Sequence, residues 1–165
     1  VVQTLDVNVR GMMAGCMAAV NAMGARGGVI LNVASISALT PVPGLAVYAA
    51  SKAAVLSYTT SLQGELRGAG LPIRARALCP DVVNTEMVNS RTHDPGAALL
   101  FSGPKPLNAE DIARAALELM DSPQIFRVVP RWRGVIARST DVAPAVGLRA
   151  LSLMRTLGLR RQRSL

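Results

Sequence analysis

The chain has 165 residues, half of them hydrophobic and 17% charged, with a formal net charge of +8. That is one domain's worth of chain with enough apolar side chains to bury a core, which excludes a disordered or fibrous protein. The excess charge is not global: residues 127–165 hold nine Arg against Asp141, while the rest sums to zero, so any electrostatic partner would have to meet the tail.

The first residues, up to about 24, show a helical pattern in which Leu5, Val9, Met12, Cys16 and Val20 recur at three- and four-residue steps. Gly24, Gly27 and Gly28 end it. Gly28–Ala34 is a short β-branched run of the kind buried on both faces of a parallel sheet. Pro41, Pro43 and Gly44 mark a turn, and Leu45–Arg67 reads as a long proline-free helix closed by Gly68 and Gly70. Ile73–Cys79 is a second buried strand, stopped by Pro80, and residues 81–107 read as irregular. Asn108 is a good N-cap for a helix running to Met120, with Glu110 and Asp111 at the positive end of its dipole. Ile125–Val129 is the third strand. From Pro144 the tail reads as an amphipathic helix of Val146, Leu148, Leu151, Leu153 and Leu157 among arginines.

Helices alternating with short buried strands predict an α/β fold with a Rossmann-like, doubly wound parallel sheet. The expected division is 1–130 for the sheet domain and 131–165 for a basic amphipathic tail. No apolar run approaches the ~20 residues that span a bilayer. Cys16 and Cys79 form neither a disulfide framework nor a metal-ligand spacing, so no metal is expected and a reducing, cytoplasmic setting fits.

Tyr48 and Lys52 lie four apart at the start of the long helix, which places both side chains on one face. An ammonium beside a phenol favours the phenolate and brings a weak acid toward its working range. Ser35 ends the preceding strand, and strand carboxyl ends in open α/β sheets are where ligands sit.

The segment GGVILNVASISALTPVPGLAVYAASKAAV resembles the classical short-chain dehydrogenase/reductase family: a buried strand, Ser35, twelve residues, Tyr48, three residues, Lys52. Upstream, VNVRG resembles the family's helix bearing a catalytic asparagine, here Asn8. Downstream, CPDVVNTEM resembles the stretch that holds a nicotinamide carboxamide, which would make Val83 and Thr85 cofactor contacts. The resemblance implies Tyr48 as general acid/base and Ser35 as the group that orients the substrate oxygen. Lys52 would lower the phenol's pKa and bind the nicotinamide ribose. Asn8 would hold, through its backbone, a water of a proton relay. It further implies NAD or NADP as cofactor, a small alcohol or ketone as substrate, and a homo-oligomer for the full-length protein.

Asp81 stands where the family usually has glycine, either as a tolerated turn residue or as a negative charge that alters cofactor binding. Nothing in the sequence matches the family's glycine-rich turn, which follows a strand, since Gly24–Gly28 precedes one. The chain therefore reads as the C-terminal portion of such a domain, its first strand left as a bare edge, with tight dinucleotide binding and turnover not expected of it alone.

Residues 86–107 correspond to the family's substrate-covering loop, whose apolar Ala97–Phe101 leans toward a hydrophobic substrate, while His93 reads as a solvated loop residue. The tail helix packs on its own domain or on a dimer mate, or lies on anionic lipid as a peripheral membrane contact. Nucleic acid is not an expected partner, because stacking aromatics are nearly absent. The rival functional readings are a truncated, non-catalytic remnant serving as an interaction or membrane-associated protein, and an epimerase or dehydratase of the extended branch. The short substrate loop counts against the latter.

Overall fold

The computed structural model describes residues 1–164, the side chain of Asp141 excepted. The chain opens with α1 (Val2–Leu5), a π-helical stretch (Asp6–Gly11) and α2 (Met12–Met23), which run on without a break. Next come β1 (Gly28–Val33), a 3-10 turn (Ile36–Ala38), the long α3 (Ala46–Gly68) and β2 (Ile73–Pro80). A one-turn helix α4 (Glu86–Asn89) and a 3-10 stretch (Pro95–Phe101) occupy the following segment. The chain then continues through α5 (Ala109–Asp121), β3 (Phe126–Val129), α6 (Arg131–Val142) and α7 (Pro144–Gln162).

The sheet is parallel in the order β1-β2-β3, in register from Gly28↔Ile73 to Val33↔Leu78 and from Ala77↔Phe126 to Pro80↔Val129. Both joins are strand–helix–strand crossovers, as the alternation required. β2 is central and its alternation of side chains serves two layers. On one face Ile73 and Ala75 meet Cys16, Leu62 and Leu66, and Ala77 and Cys79 meet Val55, Leu56 and Val128. α5 packs against β2 and β3, and Leu78 and Leu119 have no exposed surface. β1 pairs with β2 alone among the described residues, so its other side is the open edge that the sequence led us to expect.

Two polar features interrupt this core. Asn32 in β1 donates to Thr59 Oγ1 (2.9 Å) and approaches Cys16 Sγ (3.3 Å), so its amide is satisfied inside the sheet–helix layer. Arg76, only 5% exposed, donates to Gln63 Oε1 (2.9 Å) and the Ser122 carbonyl (3.3 Å). The same Gln63 oxygen accepts from Ala75 N (2.8 Å), which substitutes for a strand partner where β3 has not yet begun.

Two elements depart from the sequence reading. The first helix is not uniformly α-helical but widens into a π turn at Asp6–Gly11. Residues 131–142, assigned only to a tail, form a helix of their own. Its Trp132, Val135 and Ile136 recur at the i, i+3, i+4 spacing of one helix face and stay exposed. α7 packs against Pro95–Phe101, which is the own-domain packing foreseen for the tail. Leu165, the last residue of that tail, lies outside the described residues.

Candidate active site

The carboxyl ends of β1 and β2 gather the candidate residues. Ser35 leaves β1 and caps the 3-10 turn, its Oγ accepting from Ser37 N (3.2 Å). That bond occupies a lone pair and leaves the Ser35 O–H free to point at a ligand oxygen. The Pro41–Gly44 turn returns the chain to the N-terminus of α3, where Tyr48 and Lys52 stand one helical turn apart. Lys52 Nζ lies 5.7 Å from the centroid of the Tyr48 ring and donates to the Val33 carbonyl (2.9 Å), tying the start of α3 to the tip of β1.

Asn8 enters from the π-helical stretch. Its Nδ2 donates to Ser51 Oγ (3.0 Å), and the Ser51 hydroxyl donates to the Tyr48 carbonyl (2.7 Å). This chain of bonds fastens the π turn to the first turn of α3. A π turn disturbs the regular i→i−4 ladder and so changes which main-chain carbonyls are available near Asn8. Ser51 has no exposed surface and was not singled out in sequence, although it sits inside the YAASK motif; its role comes from its partners.

The electrostatics differ in one respect from what the resemblance implied. Burial raises the Tyr48 pKa above its ordinary value, and a hydrogen-bonding interaction with the Ser35 side chain works against that rise. Burial also lowers the Lys52 pKa, with an opposing contribution from Cys79. The expectation that Lys52 pulls the phenol down is therefore not met in this state: desolvation wins, and the phenol is held neutral. Beneath the pair, the fully buried Cys79 thiol is pushed up to about 11, chiefly by burial.

Val83 and Thr85 follow β2 on the same carboxyl edge. Val83 forms a parallel bridge with Leu107, and the Thr85 carbonyl accepts from Val88 N and Asn89 N at 3.0 Å each, starting α4. The described residues show no direct hydrogen bond between these two and the Asn8, Ser35, Tyr48 and Lys52 group. His93 is exposed.

Asp81 is neither a plain turn residue nor an isolated negative charge. Its Oδ2 lies 2.9 Å from Arg133 Nε, with the two side chains 10% and 20% exposed, so a cation from α6 neutralises it. Both residues line a cavity of about 30 Å³ together with Leu99, Leu100 and Leu107. A larger cavity of about 230 Å³ lies at the β3–α6 edge, lined by Phe126, Arg127, Arg131 and Arg138, away from Tyr48.

The carboxyl ends of β1 and β2 thus bring a hydroxyl, a phenol and an ammonium together at the edge where open α/β sheets take their ligands. The family model for short chain dehydrogenases matches residues 1–96. The chain is 40% identical over 94 residues to the 2-(R)-hydroxypropyl-CoM dehydrogenase of Xanthobacter autotrophicus, covering 56% of this chain and 37% of that protein. It is 34% identical over 121 residues to carbonyl reductase family member 4 of Danio rerio, covering 73% of this chain and 50% of the relative. Among solved structures, a short chain dehydrogenase from Burkholderia cenocepacia in complex with NADP superposes with a TM-score of 0.71 at 25% identity, over 88% of this chain and 57% of that one. The chain thus spans no more than half the length of these curated relatives. It belongs to the short chain dehydrogenase family, a family of nicotinamide-dependent oxidoreductases.

Proposed function

We propose that the protein interconverts an alcohol and a carbonyl, with Tyr48 as the group that gives or takes the proton at the substrate oxygen. The observation that carries this reading is the approach of Ser35, Tyr48 and Lys52 at one strand tip, with Lys52 bonded to Val33 and Ser35 acting on the Tyr48 phenol. Ser35 donates to the substrate oxygen and aligns it with the phenol. A phenol held neutral by burial is in the form that donates a proton to a nascent alkoxide. Asn8 and Ser51 hold the first turn of α3 in place, and the π turn around Asn8 supplies a carbonyl for a water that links Lys52 to solvent.

The residues present fit the nicotinamide half of NAD or NADP. Lys52 spends one of its three N–H donors on Val33, leaving others for the ribose hydroxyls, with Tyr48 alongside. By the family resemblance, the Val83 backbone and Thr85 hold the carboxamide. The bound cofactor supplies the hydride, and the protein supplies position and electrostatics.

The substrate is a small alcohol or ketone with apolar character. Ala97 and Ala98 are fully buried and belong to the packing, which leaves the half-buried Leu99 and Leu100 as the apolar groups of the covering segment. A remnant serving only in interaction would not require Asn8, Ser51, Tyr48 and Lys52 to converge. Self-association of the protein, and a lipid contact through the exposed Val146, Leu153 and Leu157 of α7, complete the reading. Sedimentation of the protein alone and with anionic vesicles tests both. No helix among the described residues is long and apolar enough to cross a membrane.

The deciding experiment is reduction of aryl and aliphatic ketones with NADH and NADPH, comparing the protein with its Tyr48→Phe variant. The proposal expects a loss of about 10³-fold, within the range set by general acid–base catalysis. Turnover that survives in Tyr48→Phe, or a protein that neither binds nor oxidises either nucleotide, overturns it.

A further inference from the structure

Residues 91–103 have to be held by something. They close short turns of their own, with Asp94 N donating to the Arg91 carbonyl and Ala97 N to that of Asp94, which leaves carbonyl lone pairs for partners from outside. The partners come from α7. Gln162 Nε2 donates to the carbonyls of Arg91 (3.2 Å) and Asp94 (3.0 Å). Arg161 Nη1 donates to those of Phe101 (3.3 Å) and Gly103 (2.6 Å), and Arg155 Nη2 to that of Pro95 (3.3 Å). All five bonds end on main-chain oxygens, so the grip fixes the course of the segment without engaging its side chains.

Two glycines show how close the packing is. The Gly158 backbone lies against the Ala98 carbonyl, where an added Cβ would overlap the oxygen. On the other side of the segment, Gly44 lies against the Gly96 carbonyl with a φ of 98°, a conformation and a space that only glycine accepts. Gly44 belongs to the turn that leads into Tyr48. The segment is therefore clamped between the C-terminal helix and the entry to the helix that carries the phenol.

We propose that α7 is the clamp that positions the substrate-covering segment against the Tyr48 turn, with Arg161 and Gln162 as its positioning residues. The inference rests on the oxidoreductase reading for its consequence, substrate affinity, but not for the clamp itself. The clamp sets the course of residues 91–103, which the oxidoreductase reading places over the substrate, and so the fit of the substrate's apolar part. It does not touch the reacting atoms. Loosening it therefore weakens substrate binding and leaves the proton-transfer step intact.

The test compares the protein with Arg161→Met/Gln162→Leu, with Gly158→Ala and with a control, Arg160→Met, on the exposed side of the same helix. Amide hydrogen exchange reads residues 91–103 directly, and steady-state reduction of acetophenone with NADH or NADPH reads KM and kcat separately. The expected result is exchange about tenfold faster or more across 91–103, as the loss of several hydrogen bonds implies, with β2 and α3 unchanged and the control like the parent. KM rises about tenfold while kcat stays within about twofold. Unchanged exchange across 91–103 overturns the clamp, as does an equal rise throughout β2 and α3, which would mark general destabilisation. A local rise in exchange with unchanged KM overturns the positioning role. Should the parent protein reduce no ketone, exchange still decides the clamp, and the failure falls on the oxidoreductase reading.

Discussion

Replacing Asp81 by Asn leaves the Arg133 guanidinium 20% exposed with its counter-charge gone, at the junction of β2, β3 and α6. Asp81 N also donates to the Val129 carbonyl (2.8 Å), so the residue stays in place as the β2–β3 pairing ends and only the charge is lost. At an effective dielectric near 20, unit charges about 4 Å apart attract by about 4 kcal/mol, part of which desolvation offsets. The net loss on removing one partner should be about 2–3 kcal/mol, below the full penalty for a deeply buried pair because both groups retain some exposure. In a chain of this length that corresponds to a fall in Tm of about 5–10 °C. Arg133→Met should cost a similar amount, and the double variant no more than the worse single one, giving a coupling of about 2 kcal/mol in a thermal or urea double-mutant cycle. Losses that simply add, with coupling under about 0.5 kcal/mol, would refute the idea that the two charges answer each other.

Two further outcomes follow from the buried polar groups. Thr59→Val removes the acceptor of Asn32 Nδ2 inside the core and should cost about 1–3 kcal/mol in urea unfolding, whereas Thr60→Val, next to it in α3 with its hydroxyl bonded only to the Ser57 carbonyl on the exposed side, should cost little. Cys79, pushed up to about 11 from 9.0, holds its proton in the folded state over a range where the unfolded thiol has lost it. Its contribution is therefore fully present below pH 9 and is lost as the pH rises through about 11. The amount is about 2–3 kcal/mol. Alkaline urea titrations of the parent and of Cys79→Ala should diverge in that window.

The strands were readable because Gly28–Val33 and Ile73–Pro80 are short, β-branched or alanine-rich runs bounded by glycine and proline, and local pattern and burial agree there. Arg76 is the exception within β2: a charge in a buried strand becomes intelligible only when Gln63 and Ser122 are seen beside it. The Ser35, Tyr48 and Lys52 spacing carried the centre of the site, since one helix turn and one strand tip fix those three. The π turn, by contrast, is tied by Asn8 to Ser51 across 43 residues, a contact that no local periodicity encodes. The same is true of Asp81, whose meaning lies in Arg133, and of α7, whose Arg155 and Arg161 meet the carbonyls of Pro95, Phe101 and Gly103. The pKa of the phenol was misjudged because helical spacing shows the nearby ammonium but not the burial that outweighs it.

The account turns on the Tyr48 phenol and the Ser35 hydroxyl answering each other at the tip of β1. Ultraviolet titration in a Tyr58→Phe background isolates Tyr48, because the chain has only two tyrosines. The phenol should titrate above its ordinary value of 10.0, and Ser35→Ala should move it higher still, since the hydroxyl is what opposes the rise. A Tyr48 that titrates at or below 10.0 and is indifferent to the loss of Ser35 would contradict the site as described.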